Sequence, residues 1–328
     1  MISVLSGTGE VPASAGTDPV PDRRASPWRR RPTGQRRQTL PYALLLPATA
    51  VLVVMLGWPL IRLGVLSTQR FGLAQQFGTP AEFVGLDNFR EILTDAYFWE
   101  VLRRTLVFCV VNVALTLAIG TGVALLLRSL RPGARTALGV SLLLAWAMPA
   151  LTTTVVWQWL FDTQYGLVNR LLTALGGDYE GHGWLEQPLS FFFVATIVVV
   201  WMSVPFVAFT LHAGMTQIPD EMLEAAAIDG AGPWERFRDV IVPSLAPLYL
   251  VLAALSTLWD LKVFTQIYVL QQAGGITRET NLLGVWAYRV SIGENRYDIG
   301  AAVAIVMVAI TMILTFAYVR RMLKDEAL

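Results

Sequence analysis

The sequence is poor in the residues that support most metal-binding and redox chemistry. Its 328 residues include one cysteine, Cys109, so no disulfide can form within the chain and a cysteine-based metal site is not expected. The two histidines, His182 and His212, are far apart and match no metal-ligand spacing. Only Lys262 and Lys324 are lysines, and the net charge of +1 gives no reason to expect a nucleic-acid partner. We therefore predict no metal centre and no nucleic-acid interface.

Charge of either sign is scarce as well. Charged residues make up 15% of the chain and hydrophobic residues 55%, whereas a soluble domain has about 25% charged residues. Helices and closed barrels alone satisfy their backbone hydrogen bonds in lipid, so long apolar runs predict membrane-spanning helices. The fold class predicted is an all-α polytopic membrane protein with six transmembrane helices, near residues 40–63, 103–128, 135–160, 189–215, 244–270 and 298–320.

The distribution of basic residues predicts how the chain is oriented. Residues 1–38 lack the apolar core of a signal peptide and are expected to form a disordered basic cytoplasmic tail. A transmembrane domain is predicted over 39–323, followed by a short cytoplasmic end at 324–328. Fifteen of the 25 basic residues fall in the tail, in alternate loops and at the C-terminal end. Basic residues favour the inner side, so we expect a multi-pass protein of the cell membrane with both termini in the cytoplasm.

This orientation leaves two long segments outside, residues 70–100 and 271–297. They are either docking surfaces for an external partner or plain connectors.

The segment between the fourth and fifth apolar runs, residues 217–243, has an unusual composition for a membrane loop. Pro219 suits the beginning of a helix, and the alanines at 225–227 give a smooth helical surface that another protein can approach closely. Gly230 is expected to end this helix, and Pro233 to begin a second. The pattern predicts a helix–turn–helix that projects from the membrane.

This spacing resembles the EAA loop of ATP-binding-cassette importer permeases: Glu-Ala-Ala, three residues, a glycine, nine residues, and an apolar-x-apolar-Pro end. The resemblance implies a coupling helix that docks into a cleft of an ATPase subunit. Shorter matches at 83–89, 166–169, 217–219 and 267–270 are similar to the sugar-importer branch, which includes the larger maltose permease subunit. The chain departs from that branch at 274–276, where Gly-Gly-Ile replaces the usual Gly-Gly-Pro. The residues that match the coupling motif are Glu224, Ala225, Ala226, Asp229, Gly230, Ala231 and Pro243.

The same resemblance implies an assembly and a transported substrate. The expected partners are a second permease subunit, two ATP-binding subunits, an extracellular sugar-binding protein and the lipid bilayer. The expected cargo is a di- or oligosaccharide. The chain contains no Gly-x-x-x-x-Gly-Lys-Ser/Thr loop, so we expect no cofactor in this chain and ATP hydrolysis by the partner subunits.

Polar side chains in the fifth apolar run are candidates for sugar contacts, because a carboxylate in lipid is costly unless it faces a cavity. Helical spacing would place Ser256, Asp260 and Phe264 on one face beside Trp259, and Lys262 on another. Acceptor groups next to an aromatic plane suit a sugar. The resemblance to the maltose subunit implies a pathway lined by Trp146, Ala150, Met202, Ser203, Phe206, Ser256, Trp259, Asp260 and Val263.

Other classes of protein fit the residues less well. An intramembrane enzyme would need a nucleophile–base pair, a metal cluster or paired carboxylates in the spans, and the sequence offers none, so we predict that the chain is not an enzyme. A channel or secondary transporter working alone would leave the 217–243 loop without a role. Among transported molecules, glycerol phosphates or polyols are the alternative to sugars. A phosphate would call for several basic residues along the pathway, and only Lys262 lies deep in an apolar run.

Overall fold

A computed structural model of the chain describes residues 39–325. The predicted tail at 1–38 and residues 326–328 of the predicted C-terminal end lie outside the described part. The chain divides into two units within its first helix, between Leu56 and Gly57. Every contact and cavity discussed below belongs to the second unit.

Most of the described residues are helical, which confirms the all-α prediction. Their strands are limited to one short antiparallel pair, in which Gln69 pairs with Phe83. Two turns, Phe237–Ile241 and Arg289–Gly293, are π-helical. In chain order the elements are α1 (Thr39–Ser67), β1 (Gln69–Arg70), α2 (Leu73–Gln76), β2 (Glu82–Phe83), α3 (Asp87–Thr94), α4 (Ala96–Ser129), α5 (Pro132–Ala147), α6 (Ala150–Leu160), α7 (Leu167–Ala174), α8 (Pro188–Met215), α9 (Asp220–Ile228), α10 (Pro233–Arg236), α11 (Val242–Ser244), α12 (Ala246–Asp260), α13 (Thr265–Gln272), α14 (Thr277–Thr280), α15 (Leu283–Tyr288) and α16 (Tyr297–Asp325).

Four of these helices, α1, α4, α8 and α16, are long and apolar enough to cross a membrane without a break. Two helix pairs reach that length only together: α5 with α6, bent by 103°, and Pro233–Ser244 with α12, bent by 72°. The described residues therefore offer four candidate spans, or up to six if each bent pair counts as one. The helices predicted near 135–160 and 244–270 are both interrupted, the first after Ala147 and the second after Asp260.

The two breaks have different causes. Pro149 lacks a backbone N–H and disfavours a helical conformation in the residue before it, and Met148 accordingly has an extended ψ of 131°. The break after Asp260 has no such local signal, because residues 256–272 contain neither proline nor glycine. The helix that follows, α13, packs against α6, so tertiary contacts determine its direction.

The core centres on α8. Gly120 of α4 allows close approach to α8, because a Cβ at that position would clash with the side chain of Val207. One cluster of buried residues, around Phe191 and Ile267, joins α8 to α13, and another, around Leu211 and Leu252, joins α8 to α12. The region between the two clusters is where α8, α12 and α13 converge.

The region around α3 is tied to the beginning of α16 by an ion pair. Arg296 donates to both carboxylate oxygens of Glu91, at 2.5 and 2.9 Å. Nearby, Phe71 and Asp298 exchange two hydrogen bonds, one of them from the Phe71 N–H to the Asp298 carboxylate at 3.3 Å. These contacts join segments more than 200 residues apart in sequence.

Replacing Glu91 with glutamine should destabilise the fold at neutral pH by about 1 kcal/mol or less, because the pair is half-exposed and screened by solvent. The hydrogen bond from Arg296 holds the pKa of Glu91 below its usual 4.5. The stabilisation is therefore complete above pH 4.5 and is lost as the pH falls through the lowered pKa. Thermal unfolding should show a difference between wild type and Glu91→Gln that shrinks at acid pH. A difference independent of pH would contradict this account.

Candidate functional site

A small polar cavity lies at the convergence of α8 with the breaks after α5 and α12. We call it the central cavity. Its volume is about 300 Å³. A larger and mainly apolar cleft of about 1250 Å³, between α4 and α8, shares no lining residue with it. The central cavity is lined by Trp146, Val199, Met202, Ser203, Trp259, Asp260, Lys262, Val263, Phe264, Thr265 and Gln266.

Asp260 is the most unusual residue of the central cavity. It is 3% exposed, and its Oδ2 atom is buried with no hydrogen-bond partner among residues 39–325. No described arginine or lysine nitrogen lies within 4 Å of its carboxylate. A buried carboxylate without a partner is destabilising. It is therefore expected to serve a ligand that donates hydrogen bonds to it.

Three aromatic rings contact one another in sequence near this carboxylate. The Trp146 and Phe206 rings are stacked with centroids 6.4 Å apart, and Phe206 meets Trp259 edge to face at 5.1 Å. Trp146 and Trp259 are each about half exposed, so part of their ring surface is free. Free aromatic surface next to hydrogen-bonding groups is the combination that a sugar ring requires.

The break after α12 brings side chains into the central cavity that helical spacing would not place there. Lys262 is exposed and lines the same cavity as Asp260, although the two would point apart on a continuous helix. Thr265 and Gln266, at the beginning of α13, also line it. Gln266 Nε2 donates to the sulfur of Met202 at 3.6 Å. Helical spacing did not predict that these three residues line the cavity, because no proline or glycine marks the break after Asp260.

The structure brings most of the predicted pathway residues together. Phe206 does not line the central cavity itself, but its ring contacts the rings of Trp146 and Trp259, which do. Ala150 is the first residue of α6, just past the bend, and Ser256 is buried one turn before Asp260; neither lines the central cavity. The predicted residues that do line it are Trp146, Met202, Ser203, Trp259, Asp260 and Val263.

The 217–243 loop forms a helix, a turn and a second helical segment. The first helix, α9, ends in a Schellman motif: the Ala231 N–H donates to the Ala226 carbonyl at 2.9 Å, and the Gly230 N–H to the Ala227 carbonyl at 3.1 Å. Gly230 has a φ of +89°, which glycine adopts without strain. The second segment begins at Pro233 and continues through the π-helical turn to Ser244, one residue beyond Pro243.

Apolar contacts hold this loop against the helical core. Leu223 and Phe237 pack on the cluster that contains Met215 and Leu245. Outside this anchor, Glu224, Ala225, Asp229, Gly230 and Pro243 are exposed, while Ala226 and Ala231 are half-buried.

Large apolar side chains on this loop are exposed, a feature that motif matching alone did not reveal. Met222 is 49% exposed, Trp234 67% and Ile228 86%. Large exposed apolar side chains on an otherwise polar loop indicate an interaction surface. The sequence signal that could have predicted this exposure is that Ile228 and Trp234 are isolated large apolar residues in a charged segment.

No group of three or more His, Cys, Asp or Glu side chains that could hold a metal ion occurs within residues 39–325.

Residues 114–324 match the family described as binding-protein-dependent transport system inner membrane component. The chain belongs to this family. It is therefore a multi-pass membrane component of a binding-protein-dependent transport system, and the predictions of an importer permease and of a non-enzymatic protein are confirmed.

Curated relatives align over nearly the whole chain. The diacetylchitobiose uptake system permease protein DasB of Streptomyces coelicolor is 44% identical, covering 87% of each chain. The trehalose/maltose transport system permease protein MalF of Thermococcus litoralis is 33% identical, over 87% of this chain and 94% of that protein. The sulfoquinovosyl glycerol transport system permease protein SmoG of Agrobacterium fabrum is 32% identical, over 84% and 88%.

The fold has a close counterpart among solved structures. A chain in the crystal structure of a bacterial ABC transporter involved in the import of the acidic polysaccharide alginate superposes with a TM-score of 0.75. The two chains are 23% identical, and the match covers 88% of this chain and 96% of that one. The permease therefore has the fold of an ABC importer subunit.

Proposed function

We propose that this permease subunit carries a di- or oligosaccharide inward through a pathway that includes the central cavity. The observation that carries the proposal is the convergence of the unpartnered Asp260 carboxylate, further polar groups and free aromatic surface in one cavity. Sugar hydroxyls donate to the carboxylate, and the CH faces of sugar rings stack on the aromatic rings. Two of the relatives, named for diacetylchitobiose and for trehalose and maltose, support this substrate class.

In the proposed assembly this chain pairs with a second permease subunit, two ATP-binding subunits and an extracellular sugar-binding protein. Both termini and the 217–243 loop face the cytoplasm, and the ATP-binding subunits hydrolyse ATP. The exposed apolar residues of the loop, with Glu224 and the alanines of α9, form the surface that contacts an ATP-binding subunit. The turn at Gly230 transmits movement of that subunit to α12 and the central cavity.

Replacing Trp234 with alanine should weaken association with the ATP-binding subunits at least roughly tenfold, because truncation of a central interface tryptophan typically costs about 2 kcal/mol or more. The measurement is the amount of ATP-binding subunit that co-purifies with the tagged permease across a concentration series. Trp159, which is 68% exposed on α6, provides a matched control, and Trp159→Ala should leave association unchanged. Equal association of both variants would remove Trp234 from the interface.

An anionic substrate is the second candidate, because Lys262 adds a cation to the central cavity. SmoG, named for a sulfonated glycoside, is among the relatives. The neighbouring Asp260 carboxylate would repel such a substrate, so the neutral sugar is the better fit. Binding of radiolabelled maltose, trehalose, diacetylchitobiose, a sulfonated glycoside and glycerol 3-phosphate to the purified extracellular binding protein tests the choice. Retention of the anions alone would overturn the proposed substrate.

A further inference from the structure

A second polar pocket lies between the two segments predicted to face outside, residues 70–100 and 271–297. We call it the outer pocket. Its volume is about 470 Å³, and it shares no lining residue with the central cavity. Tyr97 ties the two segments together, since its hydroxyl donates to the Arg278 carbonyl and accepts from Asn281 Nδ2, each at 2.9 Å. The pocket is therefore a surface built jointly by both segments.

Several charged side chains that line the outer pocket already have a partner. Arg296 donates to both carboxylate oxygens of Glu91, and these hydrogen bonds raise the pKa of its guanidinium, with a smaller contribution from the nearby charge of Glu294. Asp95 accepts the N–H of Tyr97 at 2.9 Å and caps the beginning of α4. These groups have little capacity left for an external ligand.

Two arginines of the outer pocket have no such partner. Neither Arg278 nor Arg289 has a carboxylate within 4 Å among the described side chains. Instead, the Arg278 guanidinium lies 5.3 Å from the centroid of the Tyr97 ring, and that of Arg289 lies 5.7 Å from the centroid of Tyr268. A ring beneath a guanidinium restricts its orientation and leaves its charge uncompensated.

Arg289 is oriented most firmly. Its Nη2 donates to Gln271 Oε1 at 2.8 Å, and its Nε is buried with no acceptor in the part of the chain that the structure describes. A guanidinium binds a carboxylate through two parallel N–H bonds, and a neutral sugar offers no equivalent planar anion. The outer pocket thus presents oriented N–H donors of the kind that a carboxylate satisfies.

We propose that the outer pocket receives an acidic side chain of the extracellular binding protein when that protein docks on the permease. The proposal rests on the proposed function, because it requires a binding protein on this face of the membrane. Arg278 and Arg289 hold the incoming carboxylate, and the Arg296–Glu91 pair forms a fixed wall of the pocket. The contact positions the binding protein above the pathway without touching the transported sugar.

The test measures docking of the purified binding protein to the complete importer in lipid nanodiscs. Arg278→Glu should raise the dissociation constant at least roughly tenfold, because it places a like charge against the incoming carboxylate. The Arg278 side chain is exposed and forms no ion pair among the described residues, so thermal stability should be nearly unchanged. Arg289→Gln, which removes the charge but keeps a polar side chain, should also weaken docking.

Arg90 provides the matched control. It is exposed on α3, on the same side of the molecule, and does not line the outer pocket. Arg90→Glu should dock within about twofold of wild type, since it changes the net charge equally but lies outside the contact. A single Asp→Arg or Glu→Arg change on the binding protein should restore docking of Arg278→Glu.

Three results would overturn the proposal. Docking of Arg278→Glu and Arg289→Gln within twofold of wild type would remove the outer pocket from the interface. If the two variants lose binding of inorganic sulfate, measured by calorimetry, but dock normally, the outer pocket binds small anions and does not contact the binding protein. If the wild-type importer binds no extracellular binding protein at all, the proposed function fails first and this contact fails with it.

Discussion

Gly230→Leu is expected to reduce sugar uptake to the level of membranes that lack the permease, while the chain still inserts. Gly230 has a φ of +89° at the end of α9, and a leucine there is strained by about 1–3 kcal/mol. The strain is relieved by unwinding the Schellman motif, which frees the carbonyls of Ala226 and Ala227. The end of the proposed coupling surface is then misplaced against the ATP-binding subunit. Uptake into vesicles, together with quantification of the inserted permease, measures the effect.

Two further variants identify the cause. Gly232 lies in the same loop with a φ of −71°, and a Cβ there would have no neighbour closer than 3.7 Å, so Gly232→Ala should transport normally. Gly230→Asn tests conformation against size, because asparagine tolerates a positive φ. No described residue has an atom within 4 Å of the position that a Cβ of residue 230 would occupy. Retained transport by Gly230→Asn would identify backbone conformation as the requirement. Normal transport by Gly230→Leu would show that the loop does not couple the subunits.

Asp260→Ala should lower uptake at least roughly tenfold, because loss of a hydrogen bond to a charged group is typically worth about 1.5–3 kcal/mol. Its carboxylate is buried in the central cavity with an unpartnered oxygen, so the sugar is its proposed partner. Removing an unpartnered buried charge should leave the melting temperature of the complex unchanged or higher. Uptake, sugar-stimulated ATPase activity and thermal unfolding are measured on the same preparation.

The competing explanation for Asp260 is structural support of a neighbouring helix. It predicts poor assembly and a lower melting temperature in Asp260→Ala, whichever sugar is offered. Asp260→Asn, which keeps one carbonyl acceptor, should retain more uptake than Asp260→Ala if the sugar is the partner. The exposed Asp178, in the segment between α7 and α8, serves as control, and Asp178→Ala should have no effect. Normal uptake in both Asp260 variants would exclude the residue from the pathway.

The shape of the 217–243 loop was predictable because local residues determine it. Pro219 immediately precedes α9, and Pro233 is the first residue of α10. Gly230 adopts the positive φ that ends α9. Each has a conformational preference that does not depend on distant contacts. The helix–turn–helix could therefore be predicted from the sequence, and the end of its second segment, predicted near Pro243, lies at Ser244.

The central cavity was predictable only in part, because its shape depends on breaks in two apolar runs. Pro149 was a visible signal for the first break, but the uniform hydrophobicity of residues 135–160 favoured a straight helix. The second break lies within a run of good helix and strand formers, and contacts between α13 and α6 determine it. Extending helical spacing past Asp260 correctly placed Phe264 on the side of the cavity, but it wrongly directed Lys262 away from the cavity that it lines.

The most direct test of the central claim is sugar uptake by the complete importer in proteoliposomes, with binding protein outside and ATP inside. The account predicts ATP-dependent accumulation of at least one neutral di- or oligosaccharide, abolished when this permease subunit is omitted. Accumulation of glycerol 3-phosphate or a sulfonated glycoside with no accumulation of any neutral sugar would contradict it. So would accumulation of sugar at an equal rate without ATP.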